Sequence, residues 1–78
     1  MAYAIVKQTY EWPESKTSTT PLATSGALAV KDKFEDALNY AETLAEAFDD
    51  HCFVTHASPP YHWGHNADDK YSYHFVVI

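Results

Sequence analysis

One stretch of this chain carries a long helical periodicity, and the rest must be arranged around it. Between Asp32 and Asp50 (DKFEDALNYAETLAEAFDD), Phe34, Ala37, Leu38, Ala41, Leu44, Ala45 and Phe48 recur at spacings of three and four. At about 100° per residue these side chains fall within roughly 120° of one helix face. The opposite side carries Asp32, Glu35, Asp36, Glu42, Glu46, Asp49 and Asp50, and Lys33 is the only base in the segment. The spacing predicts a helix over 32–50 with its apolar stripe on a sheet and its acidic flank in water. Asp32 and Glu35 have the D-x-x-E spacing of a capping box, and acids in the first turn suit the positive end of the helix dipole. The other end runs against that rule. Glu46, Asp49 and Asp50 sit where cations are favoured, at a cost of about a few tenths of a kcal/mol each. Either the helix frays after Phe48 and the acids are merely hydrated, or the acidic flank serves a partner.

The flanking segments alternate as strands do. In Tyr3–Trp12, one face offers Ala4, Val6, Gln8, Tyr10 and Trp12, and the other Tyr3, Ile5, Lys7, Thr9 and Glu11. The even face is the more apolar and is assigned to the helix side. Thr17–Thr24 is rich in β-branched residues and predicts a second strand, which Pro21 places on an edge. Ser25-Gly26 breaks it, and Ala27–Val30 either extends the strand region or leads into the helix. After the helix, His51–Ala57 predicts a strand with Cys52, Val54 and His56 on one face. Ser58–Lys70 (SPPYHWGHNADDK) is expected to be a long connection, with Tyr61, His62, Trp63 and His65 around Gly64. Tyr71–Ile78 is the last strand, central in the sheet, with Tyr71, Tyr73, Phe75 and Val77 on one side. The expected fold class is α+β: an antiparallel sheet of three to four strands with one amphipathic helix on one face, in the order β-β-α-β-β. The other sheet face would then show Tyr3, Ile5, Val76 and Ile78, a patch able to support a homodimer.

Seventy-eight residues make a single domain, 1–78, that buries only about 60% of its unfolded surface. Six Tyr, four Phe and two Trp enlarge that small core. The single cysteine, Cys52, excludes an intrachain disulfide and points to a reducing cytoplasm. No signal-peptide pattern and no apolar run of membrane-spanning length is expected. Eleven acids stand against five lysines and no arginine, a net charge of −6. Nucleic acid and anionic lipid would repel such a chain, whereas basic protein surfaces would attract it.

Five histidines raise the question of metal, and His62-x-x-His65 has ligand-like spacing with Asp68 and Asp69 nearby. Cys52 and His56, four apart on one strand, are separated by roughly 13 Å and cannot share an ion. No pair of cysteines anchors a structural site. The histidines are otherwise loop residues near an interface. Cys52 with His74 would make a nucleophile pair only if strand register joined them, and a free cysteine serves more often as a small hydrophobe. With Gly26 and Gly64 as the only glycines, no phosphate loop or nucleophile elbow exists. An enzyme is therefore not expected, nor a cofactor. The Tyr61-His62-Trp63 tip is either an interface anchor or a lid folded over the core, and Trp12 shares that ambiguity.

The strand YAIVKQ, the helix KFEDALNYAETLAEAF and the aromatic strand YSYHFVVI, in a small acidic chain, resemble the phage-encoded inhibitors of host defence, notably anti-CRISPR proteins. The resemblance implies stoichiometric binding to a CRISPR-Cas subunit in the host cytoplasm, with acidic side chains standing in for nucleic-acid phosphate. The expected function is thus a non-enzymatic binding protein that occupies a basic, nucleic-acid-binding surface. Its expected contact residues are Glu35, Asp36, Glu42, Glu46, Asp49, Asp50, Tyr61, His62, Trp63 and His65. Two alternatives stay open: a histidine-based metal- or ligand-binding accessory protein, and a dimerising structural module.

Overall fold

A computed structural model describes residues 2–13 and 20–78. It contains β1 (Tyr3–Glu11), β2 (Ala23–Thr24), β3 (Ala29–Lys31), α1 (Phe34–Ala45), β4 (Asp50–Val54), β5 (Tyr61–His65) and β6 (Tyr71–Val77). All strand pairs are antiparallel, in the order β2-β1-β6-β5-β4, with β3 also pairing β1. The fold is α+β, as expected, but the sheet has six strands rather than three or four.

The extra strands come from two places. β2 and β3 pair with opposite ends of β1, and between them Ser25 N–H reaches the Lys7 carbonyl while Leu28 N–H reaches that of Ile5. They behave as one interrupted edge, so Ala29–Lys31 extends the strand region and does not start the helix. Thr17–Thr19 of the expected second strand lie outside the described residues. The other addition is β5, which lies inside the expected Ser58–Lys70 connection. It is an interior strand between β4 and β6. Tyr and Trp favour strands, and this outweighs the loop signal of Gly64.

Helix α1 crosses from the β3 edge to the β4 edge over one sheet face. Ala37, Ala41 and Ala45 are buried against Ile5, Phe75 and Val77, and Phe34, Leu38, Leu44 and Phe48 pack around that cluster. Three alanines one turn apart let the helix approach closely, so the large sheet side chains fill the space. The apolar stripe matches the expected one. The helix ends do not. Extended Lys33 is the N-cap and makes no side-chain capping bond, so the Asp32–Glu35 box is not formed. Glu46 is the C-cap, and Asp50 already belongs to β4.

The face assignment of β1 is reversed. Ile5 is fully buried in the helix-side core, and Tyr3 meets Phe34 edge-on at 5.7 Å. The odd residues therefore face the helix. Counting apolar residues misled because the even face is also covered, by rings from its own sheet. Tyr3 and Ile5 consequently leave the expected dimer patch, while Val76 and Ile78 keep to the open face with Val6 and Ala4.

Candidate functional site

Strand register sorts the expected contact residues onto two faces. Gly64 pairs with Tyr73 and His62 with Phe75, so His62 lies on the helix side. Tyr61, Trp63 and His65 alternate onto the opposite side. The expected aromatic tip and the acidic helix flank therefore do not form one surface. The three-residue spacing of His62 and His65, suggestive for a loop, places them on opposite faces of a strand. Among the described residues no three His, Cys, Asp or Glu side chains come close enough to hold a metal ion. Cys52 and His74 both neighbour Trp63 across the sheet, which stands between them at roughly 10 Å separation.

On the helix side, Asp32, Glu35, Asp36, Glu42, Glu46, Asp49 and Asp50 are all exposed. Two described lysines near the helix are directed at rings: Lys31 Nζ lies 5.0 Å from the Tyr40 centroid and Lys7 Nζ 5.2 Å from that of Tyr73. Asp49 has an internal role as well. Its N–H donates to Asn66 Oδ1 at 3.0 Å, and its Oδ2 accepts from Ala67 N–H at 3.2 Å. This reciprocal pair ties the start of β4 to the β5–β6 turn.

The C-terminal half of α1 and strands β4 and β5 line an open cleft of about 250 Å³, most of whose lining residues are exposed. Glu42 and Glu46, one turn apart, form the helix wall with Ala45, and His51, Cys52, Phe53 and His62 form the sheet wall. His62 is only 5% exposed and stacks on Phe53 at 4.5 Å. Burial lowers its pKa below the ordinary 6.5, and the nearby charges of Glu42 and Glu46 pull it partly back. His51 Nδ1–H donates to the Phe48 carbonyl at 3.3 Å, so in the neutral ring Nε2 is the acceptor. The cavity thus brings together three expected contact residues, Glu42, Glu46 and His62. It adds His51 and Phe53, which were visible in the sequence only as the opposite face of Cys52.

The open sheet face has another character. Two histidines are each framed by two aromatic rings. His74 lies 4.0 Å from Tyr10 and 4.4 Å from Tyr61, and His65 lies 4.0 Å from Trp12 and 5.9 Å from Trp63. The Trp12 ring stacks on His65 with 27° between their planes, and His65 is 2% exposed. Its Nε2–H donates to the Asp69 carbonyl at 3.1 Å, while the buried Nδ1 has no hydrogen-bond partner among the described residues. Trp12 and Trp63 thus cap part of the fold, Trp12 remaining 41% exposed. Among the described residues no helix is long and apolar enough to cross a membrane. No family model, curated protein or solved structure matches this chain.

Proposed function

We propose that this chain is a non-enzymatic binding protein that presents the acidic flank of α1 to a basic surface of another protein. The observation that carries the reading is the exposure of every carboxylate from Asp32 to Asp50, at a helix whose last turn contains no base. The helix dipole disfavours acids at that end. Glu35, Asp36, Glu42, Glu46 and Asp50 supply a field that speeds encounter with a positive partner. Asp49 shares in that field while bracing the β5–β6 turn. A nucleic-acid-binding surface, rich in Lys and Arg, is a basic surface of this kind, and a CRISPR-Cas subunit is the specific partner suggested by the resemblance of the whole chain to phage inhibitors.

The test is charge reversal on the exposed flank. Glu42→Lys with Glu46→Lys should leave the circular dichroism spectrum intact and slow association with a captured nucleic-acid-binding partner. Association with the unaltered chain should fall steeply with salt, and the partner's own DNA or RNA should displace it. Equal association rates for the two chains would remove the helix from the interaction.

A further inference from the structure

We propose that the cavity between α1 and β4–β5 is a receptor for a single arginine side chain of the partner. The inference rests on the basic-partner reading and specifies its chemistry. Apart from the Cys52 thiol, each polar side chain on the wall offers an acceptor. Glu42 and Glu46 contribute carboxylates, the neutral His51 ring accepts at Nε2 when its Nδ1–H donates to the Phe48 carbonyl, and neutral His62 has one acceptor nitrogen. His62 is 95% buried by its 5% exposure, lines the cavity and makes no hydrogen bond among the described residues. Its lowered pKa keeps it neutral at physiological pH, and so able to accept. Glu42 and Glu46 from the helix, His51 and Cys52 from β4 and His62 from β5 are the titratable residues that line the cleft.

The occupant follows from size and geometry. A bare metal ion needs three or four ligands converging within bonding distance, and no such set exists among the described residues. The open cleft of about 250 Å³ has room for the end of one long side chain entering from solvent. Phe53, with His62 stacked on it at 13° between planes, offers an aromatic wall. A planar guanidinium with five N–H donors matches spread-out acceptors beside such a wall better than a compact ammonium does. A partner arginine would also neutralise the repulsion between Glu42 and Glu46.

Titration of the isotope-labelled full chain with N-acetyl-arginine amide, followed by amide and imidazole NMR, tests this. Saturable shifts are expected at residues 42–46, 51–53 and 62. The Glu42→Gln, Glu46→Gln chain, altered only at exposed positions, should bind the probe at least about tenfold more weakly. Equal shifts from the citrulline or lysine analogue overturn the assignment, as does the absence of saturation with the arginine probe. A parallel titration with an arginine-free oligolysine separates the two claims. If oligolysine binds in a salt-sensitive way while the arginine probe does not, the receptor falls and the acidic-flank reading stands. If neither binds, both fall.

Discussion

The Cβ that Gly64 lacks would lie 2.7 Å from Cδ2 of Phe48 and 3.3 Å from its Cβ. Gly64 occupies an interior strand with ordinary backbone angles, so its role is room and not turn geometry. Phe48 uses that room to pack against Tyr73 at 5.2 Å and Phe75 at 5.8 Å, just past the end of α1. Because the close atoms include Phe48 Cβ and Cγ, the clash cannot be relieved at the ring edge alone. Gly64→Ala should therefore destabilise the domain by about 1–3 kcal/mol, the usual cost of overpacking. Urea unfolding should show a lower midpoint with an unchanged slope. A variant as stable as the parent would mean that the helix end yields freely.

The two faces of the sheet should separate in binding. Trp63 lies opposite the acidic helix, so Trp63→Leu should leave association with a basic partner within about twofold of the parent. Glu42→Lys with Glu46→Lys should weaken it by about tenfold or more, because rim charges govern encounter. Surface plasmon resonance on both variants decides the matter. A large loss in Trp63→Leu, in a chain that still unfolds cooperatively, would place the open face in the interface.

The unequal legibility of this chain has a physical cause. The stripe from Phe34 to Phe48 was readable because one side of a helix is buried and the other is not. The inward row of β6 was readable too, since Tyr73, Phe75 and Val77 alternate with smaller or more polar neighbours. Alternation misassigns the faces of β1 because it identifies the core only when one sheet face is bare. Here Val6 is buried on the side away from the helix, in a cross-strand row with Val76 and Tyr61. The same cover hid β5, whose Trp63 and His65 look like loop residues until Trp12 is brought over them from a distant part of the chain. The cleft beside Glu42 and Glu46 depends on the pairing of Phe53 with His62, a register that spacing alone does not specify.

His62 should report the charges across the cavity. Burial lowers its pKa from 6.5, while Glu42 and Glu46 raise it. Glu42→Gln with Glu46→Gln removes only the raising influence, so the His62 pKa should fall further, as followed by imidazole proton shifts. The folded state favours the neutral ring. Its contribution to stability is therefore fully present above 6.5 and declines as pH falls from there through the folded-state value. Protonation at the low end also places a cation in the cavity, so affinity for a basic partner should drop in the same window. A His62 pKa that rises in the double variant would show that the carboxylates do not face the ring.

Asp69 should control the ionisation of Tyr73. Its Oδ2 accepts the Tyr73 hydroxyl at 2.9 Å and its Oδ1 accepts the Tyr71 N–H at 3.1 Å. Burial is the first cause that raises the Tyr73 pKa above 10.0, followed by the hydrogen bond to Asp69 and the charges of Asp69 and Tyr71. Because the neutral phenol is favoured in the fold, this stabilisation is full below 10.0 and is lost as pH rises through the folded-state value. Asp69→Asn keeps an amide oxygen for Tyr71 but removes the carboxylate that accepts from Tyr73. It should bring the Tyr73 pKa back toward 10.0 and cost about 1 kcal/mol at neutral pH. Carbon-labelled tyrosine resolves the titration of Tyr73 from the other phenols, and urea unfolding gives the stability. Tyr73→Phe in the parent and in the Asp69→Asn chain completes a double-mutant cycle. A coupling energy near zero would assign the raised pKa to burial alone and leave Asp69 with only its backbone contacts.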